Sequence, residues 1–287
     1  MTIKVVVLHP HTGGNKMWEH LKTNWKLYGD MGLVITIYRN FSYEMLEIIQ
    51  PDVIILGDCA GAPYQFTEQE FESIEMYMNE GINKHIIGTY ATFYHQEGPF
   101  NRLHIYDNRR LCTLFGIEKG LVLTTRRIEG EITYINSDKT ILWKNIPLPY
   151  KSNGYTSSQV PLHELKWIDE TGKLIGCSKD TKILAQSENG GCVILERKTE
   201  RMSSLFISHM PEYESVKKDF VDCQFLYNCI LYLVQHNYHS SLTLICLNEI
   251  NKHSVPIREL NSLPQPLIEL KKKLERNKKN ITYQSNP

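Results

Sequence analysis

The sequence has no charge of either sign in excess: 32 Lys and Arg stand against 32 Asp and Glu. That removes the broad electrostatic footprint of a nucleic-acid or anionic-membrane binder, and only the C-terminal end is clearly basic. No apolar run is long enough to span a bilayer. The stretch Ile3 to Leu8 is too short for the apolar core of a secretion signal and runs straight into polar residues. There is no Cys-x-x-Cys. The seven cysteines are scattered, and an odd count without a framework points to reduced thiols and a cytoplasmic, or nuclear, setting. No internal repeat is found. With 41% hydrophobic and 22% charged residues the composition is that of an ordinary globular chain, so wholesale disorder is not expected.

What is present is an alternation. Ile3-Lys4-Val5-Val6-Val7-Leu8 is a β-branched run closed by His9-Pro10-His11-Thr12-Gly13-Gly14, which reads as a buried strand and a tight loop. A helix is expected over 16–27, with Trp18, Leu21 and Trp25 on its inner face. Val34 to Tyr38 reads as a strand, Tyr43 to Ile49 as a short helix, and Val53 to Leu56 as a third strand that breaks at Gly57-Asp58. Thr67-Glu68-Gln69-Glu70 is a capping box, in which the Thr67 hydroxyl accepts from the Glu70 amide while the Glu70 carboxylate reaches back. Its helix carries Phe71, Ile74 and Met78 and stops at Gly81. Ile86 to Tyr90 is the next strand, leading into Ala91-Thr92-Phe93-Tyr94-His95.

Strands alternating with helices over the first 120 residues imply an α/β fold: an open, mostly parallel sheet with helices on both faces, of the flavodoxin-like kind. From Leu121 the pattern changes to short alternating segments, Leu121 to Ile128 and Glu131 to Ile135. A stretch punctuated by Pro, Ser and Gly follows from Pro147 to Pro161. A β-rich insertion over about 121–165, serving as a lid, is expected there. Lys182 to Gln186, Gly191 to Arg197 and Ser204 to Ser208 return to strand character. A helix from Lys217 to Gln235 closes a domain expected to span 1–238. Trp18, Phe93, Tyr90 and Tyr94 are expected in core packing or a pocket wall. Arg109-Arg110 and Arg126-Arg127 are expected on solvated faces, although one arginine near the functional edge would suit a carboxylate or phosphate.

A ligand of an open parallel sheet lies beyond the carboxyl ends of its strands. His9 and His11 follow the first strand, Asp58, Cys59 and Gly61 the third, Tyr90 and His95 the fourth, and His209 and Glu212 the last. The candidate ligand cleft is therefore His9, His11, Asp58, Cys59, Gly61 and His95, and the candidate catalytic residues are Tyr90, His209 and Glu212. The order of these segments resembles class I glutamine amidotransferase-like domains and, within them, the trehalose-utilisation (ThuA-like) branch. Leu56-Gly57-Asp58-Cys59-Ala60-Gly61-Ala62-Pro63 stands where that family has its Gly-rich oxyanion loop. Gly88-Thr89-Tyr90-Ala91-Thr92 stands at the nucleophile elbow, normally Gly-x-Cys-x-Gly, and His209-Met210-Pro211-Glu212 where the amidotransferases place His-Pro-Glu. The departures matter more. A glutaminase needs a thiolate at the elbow, and a phenol with an ordinary pKa of about 10 is a poor acyl nucleophile at neutral pH. Tyr90 therefore argues against ammonia release from glutamine. Cys59, the nearest thiol, sits on the oxyanion loop and reads as a structural cysteine. His209 would serve as a general base or cap a loop. No cofactor is required; the one opening for a metal is convergence of His9, His11, His95 and His209 with Asp58, of which at least three must meet.

The stretch Ser241 to Leu270 stands apart. Leu242, Cys246 and Ile250 recur every four residues and form one narrow apolar helical stripe, widened by Leu244, Ile245 and Leu247, of the kind that enters a partner's groove. Pro256 then ends the helix, and Leu260, Leu263-Pro264-Gln265-Pro266 and the basic run Lys271-Lys272-Lys273 follow. The pair of motifs resembles a SOCS box, the module by which substrate receptors join elongin B/C and a cullin-RING ubiquitin ligase. The resemblance implies elongin contact through Leu242, Cys246 and Ile250 and cullin choice through Leu263, Pro264 and Pro266. Gln265, where an apolar residue is usual, and the spacing of the later leucines depart from the cullin pattern. A helical module over 239–280 and a disordered tail over 281–287 are expected.

Two functions are thus in view. One is a substrate-recognition subunit of an elongin B/C and cullin ligase, whose amidotransferase-like domain has lost its nucleophile and holds a protein target. The alternative is a ThuA-like enzyme, or a protein that binds a carbohydrate or an amide, using the strand-end cleft.

Overall fold

The computed structural model describes residues 2–9, 14–57, 66–89, 92–93, 95–96, 106–117, 126–127, 132–134, 141–150, 157–158, 176–187, 192–209, 211–212 and 221–234. The chain divides into two units, Met1–Val234 and Gln235–Pro287. Every described residue belongs to the first.

Its elements begin as strand β1 (Thr2–Leu8), helix α1 (Gly14–Asn24), β2 (Gly32–Tyr38), α2 (Tyr43–Ile49), β3 (Val53–Leu56), α3 (Glu68–Asn79) and β4 (Lys84–Thr89). Then come β5 (His95–Gln96), β6 (Tyr106–Asp107), β7 (Arg126–Arg127), β8 (Ile132–Tyr134), β9 (Ser157–Ser158), β10 (Thr181–Ser187), β11 (Cys192–Lys198) and β12 (Met202–Ile207). A final helix, α4, covers residues 221–234. The main sheet has the order β2-β1-β3-β4-β12-β11-β10-β8. Its first five strands are parallel, and β11, β10 and β8 continue it in antiparallel fashion. Renumbered along the chain, the parallel part is the 2-1-3-4-5 order of flavodoxin-like sheets.

Why these strands lie inside follows from their alternation. Ile3, Val5 and Val7 of β1, Val53 and Ile55 of β3, Ile87 of β4, and Leu205 and Ile207 of β12 face one core, shared with Trp18 and Leu21 of α1 and most of α4. Val6, Leu8, Ile54, Leu56, Ile86 and Phe206 face the other, shared with Leu46 of α2 and Phe71, Ile74 and Met78 of α3. Both faces are covered, as parallel sheets require. The capping box at Thr67 is formed: the Glu70 amide donates to Thr67 Oγ1 at 3.2 Å and the Thr67 amide to Glu70 Oε2 at 2.9 Å.

Three expectations change. The first helix begins two residues earlier, at Gly14, and its last turn, Trp25–Leu27, tightens to a 3-10 helix, leaving Trp25 only partly buried. The segment expected as an insertion and lid is, where described, part of the domain itself. β8 extends the main sheet, and Leu142, Trp143, Ile146 and Tyr150 enter the core beside α4. Arg110 is only part-exposed and is engaged as well: its guanidinium grips Glu75 at 2.9 and 2.6 Å, reaches Glu68 at 2.6 Å and lies over the Phe71 ring. That fork ties the 3-10 segment Asn108–Phe115 to α3.

Gly88 marks the tightest point of the central strand. A β-carbon there would lie 2.8 Å from Phe115 Cζ and 2.9 Å from Thr92 Oγ1. Thr92 in turn donates to the carbonyls of Thr89 at 2.8 Å and Leu56 at 3.3 Å, which stitches the turn after β4 to the end of β3. Gly88→Ala is expected to lower the urea-unfolding midpoint by the equivalent of about 1–3 kcal/mol. An unchanged midpoint would mean that the Phe115 ring yields freely.

Candidate functional site

The carboxyl ends of β4 and β12 carry a buried polar cluster. Alternation along β4 sends Thr89 to the same face as Ile87, toward α4, and the chain leaving β12 brings Ser208, His209 and Glu212 there. Thr89 donates its hydroxyl to the Glu212 carboxylate, and both groups are fully buried. Beside them the Tyr150 hydroxyl donates to Asp222 of α4, again buried. The Tyr150 and Phe225 rings stack 4.9 Å apart, and the His209 ring packs on both, 5.8 Å from Tyr150 and 5.4 Å from Phe225.

His209 is 2% exposed. Neither of its ring nitrogens has a hydrogen-bond partner among the described residues. Burial pushes its imidazole pKa from 6.5 down to about 3, so at neutral pH the ring is uncharged and a weak base. Glu212 accepts from the Thr89 hydroxyl through one carboxylate oxygen. The two residues share one end of the sheet without a base–orienter hydrogen bond between them.

His9 occupies a different layer. Its backbone turns with φ 45° and its amide donates to Tyr38 O at 2.9 Å. Its ring sits edge-on between Phe41 and Phe66, with Nε2 at 2.8 Å from Glu70 Oε1. A carboxylate only accepts, so the proton is assigned to Nε2. Burial alone would raise the Glu70 pKa. The bonds from His9 and from Thr67 outweigh it and hold the carboxyl below its ordinary value. His9 is thus tied to the start of α3.

His9 and His209 do not converge. Phe41 and Phe66 belong to one core and Tyr150 and Phe225 to the other. β1 and β12 are also three strand spacings apart, about 14 Å. Among the described residues no group of three His, Cys, Asp or Glu could hold a metal ion. Tyr90, His11, Asp58, Cys59 and Gly61 lie outside the described residues, as do Leu242, Cys246, Ile250, Leu263, Pro264 and Pro266 of the C-terminal stretch. His95 is described only as backbone in β5. Thr89, Tyr150 and Asp222 were not legible as site residues. Thr89 had a signal, its place next to Tyr90 at the end of a strand, whereas Tyr150 stands in a Pro-punctuated stretch that gives none.

Fold and site together define an α/β open-sheet domain of flavodoxin-like strand order, with a buried polar cluster at the carboxyl ends of β4 and β12. No family model and no curated protein matches the sequence. Among solved structures the chain is similar to one described as a GMP synthase subunit from Thermoplasma acidophilum, with 14% identity and a TM-score of 0.46 over 84% of this chain and 98% of that one. It is also similar to an exo-β-1,4-mannosidase from an Opitutaceae bacterium, with 11% identity, a TM-score of 0.44 and 78% of this chain covered. A β-galactosidase from the haloarchaeon Halorubrum lacusprofundi aligns with 9% identity, a TM-score of 0.40 and 79% coverage. The chain spans only 34% of that mannosidase and 30% of that galactosidase. No described helix is long and apolar enough to cross a membrane.

The burial of His209 has a pH signature. In the unfolded chain the imidazole binds its proton near 6.5, in the folded chain only near 3. Its contribution to stability is whole above pH 6.5 and is lost as pH falls toward 3, by about 1.4 kcal/mol per pH unit. His209→Phe, which fills the same aromatic slot without buried ring nitrogens, is expected to match the wild type or exceed it at pH 7 and to flatten the loss of stability between pH 6.5 and 4. Parallel acid limbs of the two urea-midpoint profiles would contradict this account.

Proposed function

We propose that this chain is a substrate-recognition subunit of an elongin B/C and cullin-RING ubiquitin ligase, built on a glutamine amidotransferase-like domain that no longer performs the glutaminase reaction. The observation that carries the reading is the succession of both docking patterns in Ser241 to Leu270, beyond the unit that ends at Val234. The chemistry at the strand ends supports it from the other side. Tyr90 stands where a thiolate is needed, His209 is an enclosed and weakly basic imidazole, and Glu212 accepts from Thr89. A domain so arranged has a use as a scaffold that holds a target. Leu242, Cys246 and Ile250 would then contact elongin, and Leu263, Pro264 and Pro266 would choose the cullin.

Purified elongin B/C is expected to be retained by the full chain and lost from a Leu242→Ala/Cys246→Ala variant with unchanged circular dichroism. Retention by both, or by neither, would overturn the reading.

A second reading, a domain that binds a carbohydrate or an amide, is favoured by one feature: the two buried ring nitrogens of His209 that no described residue satisfies. It expects L-glutamine or a neutral disaccharide to raise the thermal midpoint of the wild type but not of His209→Ala. No shift with either compound class would remove it.

A further inference from the structure

The His209 ring is covered by Phe225 of α4 and by Tyr150, a residue of the 141–150 segment. Tyr150 stands beyond the carboxyl ends of β4 and β12, where an open sheet of this order takes its ligand. Its ring is fully buried, stacked on Phe225 at 4.9 Å and 5.8 Å from His209, and its hydroxyl donates to Asp222. The segment that delivers this ring is unevenly held. Residues 141–146 are anchored: Leu142, Trp143 and Ile146 are buried, the Lys144 amide donates to Ile141 O and the Ile146 amide to Trp143 O, each at 3.2 Å. Asn228 of α4 holds the carbonyls of Leu142 and Lys144 from the other side. Pro147, Leu148 and Pro149 are then all exposed, Leu148 by 51%. Tyr150 thus lies one residue from solvent, with its ring inside.

Beneath that ring is a group that gains when the ring leaves. Both nitrogens of the His209 imidazole lack a hydrogen-bond partner among the described residues. A buried donor and acceptor left unmet cost the fold free energy, whereas the same imidazole in contact with water or with the polar groups of a ligand does not. The rest of the wall can stay where it is, because Phe225 belongs to the core and the anchored turn remains bound to Asn228. We infer that the Tyr150 ring is an internal plug, latched by Asp222, that stands in a ligand's place against His209 and turns out past the exposed residues 147–149 to open the strand ends. The inference rests on the second reading above, in which those strand ends hold a ligand. It also describes that ligand. What replaces the plug presents a flat face to Phe225 and a hydroxyl to Asp222, as the tyrosine itself does.

The test uses the full chain and diethyl pyrocarbonate, which acylates a neutral imidazole that it can reach, with the peptide containing His209 followed by mass spectrometry at pH 7. In the wild type His209 is expected to react slowly. Tyr150→Phe keeps the ring and removes the bond to Asp222; it should speed the reaction about tenfold with unchanged circular dichroism, the population shift of one lost bond to a buried carboxylate. Tyr150→Ala should speed it further, and p-cresol, which restores both ring and hydroxyl, should slow it again where toluene does less. His209 reacting as slowly in both variants as in the wild type would overturn the proposal, as would a folded Tyr150→Ala chain indifferent to p-cresol. Tyr150→Phe decides alone if Tyr150→Ala does not fold. Protection of the open variant by p-cresol but by neither L-glutamine nor a neutral disaccharide would leave the plug standing and remove the ligands named in the second reading.

Discussion

A parallel sheet offers apolar residues on both sides, and every other feature of this domain is arranged around covering them. β1, β3, β4 and β12 alternate between two cores with hardly a polar residue in their middles. One core is closed by α1 and α4, the other by α2, α3 and the Asn108–Phe115 segment. Residues 222–234 of α4 are buried on every side, which a two-layer helix on a sheet would not be. Part of that cover is the 141–150 segment, bound to α4 by Asn228, whose amide donates to the carbonyls of Leu142 and Lys144 at 3.0 and 2.8 Å.

This cover decides the character of the strand-end cluster. In an open α/β sheet the carboxyl ends are where ligands enter, because loops part there and leave polar groups in reach of solvent. Here Tyr150 and Phe225 lie against His209, and Asp222 holds Tyr150 in place. An imidazole so enclosed loses hydration that a proton would need, and its basicity falls for that reason alone. The chemistry at the site is thus set less by the residues of the motif than by a segment some sixty residues upstream that packs against them.

The sequence conveyed the fold well where local and tertiary demands agree. The β-branched runs of β1 and β3, the bounds of α2 and the reciprocal bonds at Thr67 and Glu70 are all legible, since each is determined within a few residues. The candidate site was legible only as a set of strand ends. That His9 pairs with Glu70, 61 residues away, and faces a different core from His209 depends on which way each chain turns after its strand. A His after a strand reads alike in either case. Arg110 misled for a related reason: an Arg-Arg pair looks solvated until the fork of Glu75 and the face of Phe71 are brought beside one of them. Tyr150 was hidden by its company, because proline and serine around it signal a loop while its ring belongs to the core.

The two ends of the sheet therefore present different chemistry for a physical reason. At the carboxyl ends, polar side chains are drawn inward and paired, Thr89 with Glu212 and Tyr150 with Asp222, beneath aromatic cover. At the amino ends, beside α2 and α3, polar side chains stay at the surface and hold the chain's own turns, as Lys84 does with Gln50 and Lys4 with the Ile49 carbonyl. Bonds at the surface exchange readily with water, whereas opening the strand-end cluster would cost the buried bonds that close it.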